Sequence, residues 1–245
     1  MTIFRSILFF LWFAAISVVA HIAALPTLML PRRVIVWTAR KWSAANLWGL
    51  RVFAGLEYEV RGTIPTQGVL IASKHMSMWD TLALYALLDD AAVVIKRELL
   101  NVPFYGWFAN KAGMIAIDRN AHASALRKMA EQARGVAADG RSIVIFPEGT
   151  RKNPGAAPDY KPGVAGLYTQ LGLPCVPVAL NSGLFWTGPG GFVKKSGAIV
   201  IEFLPPIPAG LKRAEFMRTL EQRTEEATAK LVTEGRKLLE KRDRT

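Results

Sequence analysis

Cysteine is almost absent from this chain. The only one is Cys175, so no intrachain disulfide can form. It lies in the apolar run Leu173–Val178, where it reads as a buried strand residue rather than a nucleophile. Histidine is nearly as scarce, at three. The sequence carries no zinc ligand set, no Arg-rich recognition helix, no RNA-binding aromatic signature, no internal repeat and no low-complexity linker. Acidic residues are also in short supply: 19 Asp and Glu against 31 Lys and Arg leave a formal net charge of +12. Such a balance suits nucleic acid, an anionic membrane surface or an anionic substrate. The missing recognition signatures argue against nucleic acid, and the apolar N-terminus favours anionic membrane lipids. With 51% hydrophobic and 20% charged residues the chain is built to fold. Its mean hydropathy of +0.21 is high for a soluble globule.

From Ser6 to Leu30 the only ionisable side chain is His21. About 25 uncharged residues are enough to cross a bilayer of about 30 Å as a helix. Three readings compete: a transmembrane helix, a cleaved signal peptide behind Arg5, and a re-entrant or interfacial segment. Pro26 and Pro31 end the helix. Beyond them Trp37, Trp42 and Trp48 alternate with Arg32, Arg33, Arg40, Lys41 and Arg51, a mixture suited to the headgroup layer. We expect a two-helix membrane anchor over residues 1–54, its second helix at the interface; a core helix of the main domain is the bland alternative.

Residues 55–245 read as a second unit. Leu56–Val60 alternates like a strand, and short apolar runs follow at Val69–Ile71, Ala91–Ile95, Met114–Ile117, Ser142–Phe146, Cys175–Val178 and Ala198–Phe203. Helical patterns fall between them at Thr81–Leu88 and Ser124–Ala138. A charged tail helix, Arg213–Arg244, carries an apolar stripe of Phe216, Leu220, Leu231 and Leu238. Strands alternating with helices predict an α/β fold, a mostly parallel or mixed sheet flanked by helices.

In open α/β sheets, sites collect where strands end. His75 follows one strand, Lys96 and Arg97 a second, Asp118 and Arg119 a third, and Pro147–Arg151 a fourth. His75 and Asp80 stand five apart. In one unbroken helix they would point roughly 140° away from each other. They meet only if His75 lies in a loop and Asp80 near the start of the next helix, with Ser77 or Asp80 as its cap. An imidazole beside a carboxylate takes a proton near neutral pH. A base, its carboxylate and several cations suit moving an acyl group onto or off a hydroxyl near a phosphate.

The loop His75–Asp80, the segment Gly113–Arg119, the block Phe146-Pro147-Glu148-Gly149-Thr150-Arg151 and Val176-Pro177-Val178 resemble, in order and spacing, the four blocks of the glycerolipid acyltransferases. The pattern is most like that of the 1-acyl-sn-glycerol-3-phosphate (lysophosphatidic acid) acyltransferases. The likeness covers about residues 55–205. It implies transfer of a fatty acyl chain from acyl carrier protein or coenzyme A to the sn-2 hydroxyl of lysophosphatidic acid, giving phosphatidic acid. No metal or bound organic cofactor is implied. It also implies a bacterial inner (cytoplasmic) membrane, with the active site facing the cytoplasm. His75 would be the general base and Asp80 its orienting partner. Gly149 and Lys96 are candidates for stabilising the oxyanion, and Arg119 and Arg151 for holding the phosphate. Glu148 and Thr150 complete the substrate-binding candidates; Glu148 either binds substrate or ties its own loop together.

The family commonly has asparagine before the histidine, and this chain has Lys74. It either adds a phosphate contact or turns outward as a solvated lysine. Met76, Met78 and Trp79 either line an acyl channel or form ordinary core. Two other functions remain open: acyl transfer to another lysolipid, such as a lysophospholipid or lyso-ornithine lipid, and non-catalytic lipid binding at a membrane.

Overall fold

The computed structural model describes residues 1–66, 68–118, 122–187 and 191–243. Seven strands form one sheet: β1 (Leu56–Gly62), β2 (Leu70–Ser73), β3 (Ala92–Lys96), β4 (Ile115–Ile117), β5 (Ile143–Ile145), β6 (Cys175–Leu180) and β7 (Gly197–Phe203). Their order is β1-β7-β6-β2-β5-β3-β4. The five strands from β6 to β4 run parallel. At the other edge β7 is antiparallel to β6 and carries β1 parallel to itself, so the sheet is mixed.

Alternation along β2 builds two cores. Ile71 faces one side with Val93, Val144 and Val178, under Trp79, Leu82 and Leu84 of helix α3 (Met78–Leu87). Leu70 and Ala72 face the other with Ile143 and Cys175. That side is covered by α5 (His122–Ala138), α6 (Gly163–Leu171) and the first turns of α7 (Arg213–Asp243). Parallel strands covered on both faces read as continuous apolar runs because neither face meets water. In α7, Phe216, Leu220 and Leu231 are buried as expected, but Leu238 is exposed, and its neighbour Leu239 packs on the core instead.

The N-terminal helices differ from the expected two-helix anchor. Among the described residues one helical stretch, Thr2–Met29, is long and apolar enough to cross a membrane. It comprises α1 (Thr2–Ala24) and a short 3-10 turn. Helix α2 (Arg32–Gly49) instead packs on α3 through Leu47 and neighbouring buried residues, with Trp37 and Trp48 outward. Phe9, Leu47, Leu50 and Ala54 lie in the same core as Ile71 and Trp79, so packing continues across residue 54 without a break. One face of α1 is held along its length. Ser6 Oγ accepts from Lys194 N (2.9 Å), Phe9 meets Trp186 edge-on, and Trp12 Nε1 donates to Ala45 O (3.2 Å). Trp42 Nε1 donates to Ser17 Oγ (3.1 Å), and Ala24 is buried with Ile35. The opposite face exposes Ile3, Phe4, Ile7, Phe10, Leu11, Val18, Val19 and Ile22. This is a helical stripe turned away from the domain, met among the described residues at Phe10 by the Phe192 ring (centroids 5.9 Å).

Candidate active site

Strand β2 lies in the middle of the sheet, and the chain leaves its carboxyl end in a loop through His75 before α3 begins at Met78. Ser77 caps that helix. Its Oγ accepts from Trp79 N (3.2 Å), and Asp80 returns a carboxylate oxygen to Ser77 N (2.9 Å), completing a capping box. The helix starts three residues earlier than the periodicity suggests. The cap therefore puts Asp80 in the first turn, facing back at the loop.

Asp80 is fully buried, an expensive place for a carboxylate unless it is hydrogen-bonded. Its Oδ2 accepts from His75 Nδ1 (2.9 Å), Met76 N (2.6 Å) and Ser77 N (2.9 Å). Its Oδ1 accepts from Ser182 Oγ, which in turn lies 2.9 Å from Ser77 Oγ. The donors form one chain, Trp79 N–H to Ser77 hydroxyl to Ser182 hydroxyl to Asp80, each bond polarising the next. With Nδ1–H given to Asp80, the lone pair of the neutral His75 ring is on Nε2. That nitrogen has no hydrogen-bond partner among the described residues. The His75 ring lies against Phe146, centroids 3.9 Å apart and planes 21° apart. It is 12% exposed, reachable but mostly dry.

The Phe146–Arg151 block wraps this histidine. Gly149 holds φ +66°, a backbone state that side chains resist, and its N–H closes the turn on Phe146 O (2.9 Å). That bond occupies the amide expected to meet an oxyanion, so the Gly149 N–H is not free for that task. Lys152 N donates to His75 O (2.9 Å). Thr150 is exposed and Arg151 half-buried, and neither side chain has a hydrogen bond or ion pair to another described residue.

Lys74 departs from both expectations for it. It is 3% exposed, its Nζ 2.9 Å from Glu148 Oε1 and 2.6 Å from Glu225 Oε1, which leaves neither a solvated cation nor one turned to a phosphate. Tyr160 Oη donates to the same Glu225 oxygen (3.0 Å). Burial drives the Glu148 carboxyl above the ordinary carboxylate range against the pull of Lys74, and its Oε2 is buried without a partner. Burial also drives the Tyr160 hydroxyl up, with Glu225 adding to the shift. Lys96 ends β3 at the surface, paired with Glu98 (3.2 Å). Arg119 lies outside the described residues. Cys175 is buried in β6, as expected.

Sequence reasoning missed Ser182, Phe146 as a ring partner of His75, and Glu225. Ser182 follows β6, the neighbour of β2, so strand order places it beside the His75 loop. Gly183 permits the approach: a Cβ there would stand 2.9 Å from Pro154 and 3.1 Å from Met76.

A polarised histidine at the end of a central parallel strand, set in a loop cluster able to receive a hydroxyl, is the arrangement of an acyl-transfer enzyme. The family model described as Acyltransferase matches residues 56–181, and the chain belongs to this family. It is 36% identical to the 1-acyl-sn-glycerol-3-phosphate acyltransferase of Pseudomonas aeruginosa over 81% of this chain and 77% of that one. It is 30% identical to the lyso-ornithine lipid O-acyltransferase of the same organism, over 71% and 74%. In fold it is similar to the 1-acyl-sn-glycerophosphate acyltransferase of Thermotoga maritima. That match has a TM-score of 0.78 at 20% identity and covers 94% of this chain and 98% of that one.

Proposed function

We propose that this protein moves a fatty acyl chain from a thioester, of coenzyme A or acyl carrier protein, to the sn-2 hydroxyl of lysophosphatidic acid. The observation that carries the reading is His75, with Nδ1 tied to buried Asp80 and Nε2 open. Nε2 takes the acceptor's hydroxyl proton as its oxygen attacks the thioester carbonyl. The imidazolium formed is stabilised by Asp80, which keeps its charge. When the tetrahedral intermediate collapses, the C–S bond breaks and the proton on Nε2 passes to the leaving thiolate. Arg151 and Arg119 are the cations for the acceptor phosphate, since a guanidinium fork matches phosphate oxygens. Lys96 is left as the side-chain candidate for the oxyanion.

Helix α1 supports a membrane-surface reading. A helix covered by protein on one side from Ser6 to Ala24, about five turns, presents only its outer stripe to lipid. We therefore place it in one leaflet of a bacterial inner membrane, on the cytoplasmic side, rather than across the bilayer. The lyso-ornithine lipid relative supports a second acceptor reading with the same His75 chemistry.

The test is an assay of purified protein with lysophosphatidic acid and lyso-ornithine lipid against both donors. We expect phosphatidic acid, and its complete loss in His75→Ala. Turnover retained in that variant would defeat the mechanism, and turnover on lyso-ornithine lipid alone would move the acceptor.

A further inference from the structure

The loop around His75 and the loop 146–152 are joined at three points. Phe146 stacks on the His75 ring, Lys152 N donates to His75 O, and Lys74 Nζ grips Glu148. The first two need only the backbone and one ring. The third is an ionic contact inside the protein, and it does not close with two groups. Lys74 Nζ is shared with Glu225, on the C-terminal helix, and Glu225 is in turn held by Tyr160. The Lys74 ammonium also lies 5.8 Å from the Tyr160 ring centroid. The groups facing Glu148 are thus Lys74, Glu225 and Lys152, with Tyr160 behind them.

We propose that Glu225 is a positioning residue of the active site, acting through Lys74 on Glu148, and that Lys74 is replaceable only when Glu225 is replaced with it. This rests on the acyl-transfer reading, because the loop it positions carries the acceptor-binding candidates Glu148, Thr150 and Arg151. The argument is one of charge in a confined space. One cation between two carboxylates holds both in place. Remove the cation and two carboxylates confront each other with only Lys152 beside them, a costly arrangement around the buried Glu148. Remove the cation and the second carboxylate together, and a single Glu148 faces two neutral amides that can donate to it. Helix α7 is then part of the frame of the site, and the lysine standing where the family commonly has asparagine is matched by a glutamate far away in sequence.

The experiment is a double-variant cycle in the full-length protein on phospholipid vesicles, with Lys74→Asn, Glu225→Gln and both. For Lys74→Asn we expect the KM for lysophosphatidic acid to rise about 10- to 100-fold, the range of coupling between residues in one buried network. The KM for the acyl donor stays within about twofold, since the donor does not use this loop in the proposed mechanism. Glu225→Gln alone costs about threefold, because Lys74 keeps Glu148. The double variant returns to within about fivefold of wild type, the mark of coupled rather than additive sites. A double variant no better than Lys74→Asn, or donor and acceptor KM rising together, overturns the proposal. Should Lys74→Asn fail to fold, recovery of a cooperative melt on adding Glu225→Gln is the same readout, and a double variant that also fails to fold overturns it. Wild-type turnover on lysophosphatidic acid is measured first. Its absence defeats the functional reading, while the coupling is still decided by the four melting temperatures.

Discussion

Asp80→Asn isolates a charge from a geometry. Two of the groups on Asp80 Oδ2 are the backbone amides of Met76 and Ser77, which can only donate. They force the carboxamide to place its oxygen there, so His75 Nδ1–H keeps its acceptor and the tautomer is preserved. The NH2 falls at the Oδ1 position and donates to Ser182 Oγ; the serine hydroxyls reverse, and the last proton of that chain, on Ser77, loses its acceptor. Stability should fall by about 1 kcal/mol, the net loss of one hydrogen bond. What catalysis loses is the stabilisation of the imidazolium. A unit charge about 4 Å away contributes about 4 kcal/mol at an effective dielectric of about 20. The donors already on Asp80 spread its charge, so we take roughly half to three-quarters of that, and kcat should drop about 30- to 150-fold. The KM for lysophosphatidic acid should hold within about twofold, because the group acts on the transition state. Single-turnover rates with saturating thioester read the effect directly. A loss under about fivefold in a folded variant would mean that no imidazolium forms beside Asp80. A loss as deep as that of His75→Ala would mean the carboxamide fails to hold the ring, and the hydrogen-bond assignment above is wrong.

Three further outcomes follow from groups outside the catalytic pair. Lys194 is buried, its Nζ on the carbonyls of Gly191 and Phe192 and 4.3 Å from the Trp186 ring centroid, and burial lowers its pKa to about 8. The unfolded lysine holds its proton to about pH 10.5, so between those values the unfolded chain binds more protons and stability rises with pH. The gain is about 1–3 kcal/mol with the opposing cation–π contact allowed for, and Lys194→Met should abolish the rise in urea melts across pH 7.5–10.5. Burial pushes the Cys175 thiol up, so maleimide should label it only in denaturant; labelling of native protein within minutes at pH 8 would contradict its place in β6. The turn between β3 and α4 (Tyr105–Lys111) and the start of α4 expose Leu99, Val102, Phe104 and Trp107. Phe104→Ser with Trp107→Ser should weaken vesicle binding about tenfold or more while leaving turnover of a water-soluble short-chain acceptor unchanged, as expected of exposed apolar residues outside the His75 site.

Much of this was legible because it depends on local pattern. The His75–Asp80 spacing, a serine between them and an apolar run on each side imply strand, loop and capped helix, and the structure has them. The central strands were readable for the same reason, apolar on both faces because both are covered, while edge strand β1 was readable by its alternation. What the pattern could not carry was pairing across the chain. Nothing near Glu225 separates it from the other acids of α7, and only strand order brings Ser182 to Asp80. Lys74 was misjudged because a lysine in a polar loop is normally solvated, and its two carboxylates come from positions 148 and 225. The second helix of the expected anchor was misjudged in a different way: the tryptophans and cations of α2 fit an interface, but composition does not reveal that its buried face packs on α3.

The position of β2 has a consequence for synthesis. The strand is flanked by β5 and β6, and the serine and glutamate that complete the site come from still later in the chain. As the polypeptide leaves the ribosome, the apolar helix emerges before every strand of the sheet, and Glu225, the last partner of Lys74, after all of them. At elongation speeds of about 5–20 residues per second that gap lasts on the order of ten seconds or more. During that interval the apolar helix lacks Trp186 and Lys194, and Asp80 lacks Ser182, so the helix and the site are completed by the same late segment of the chain.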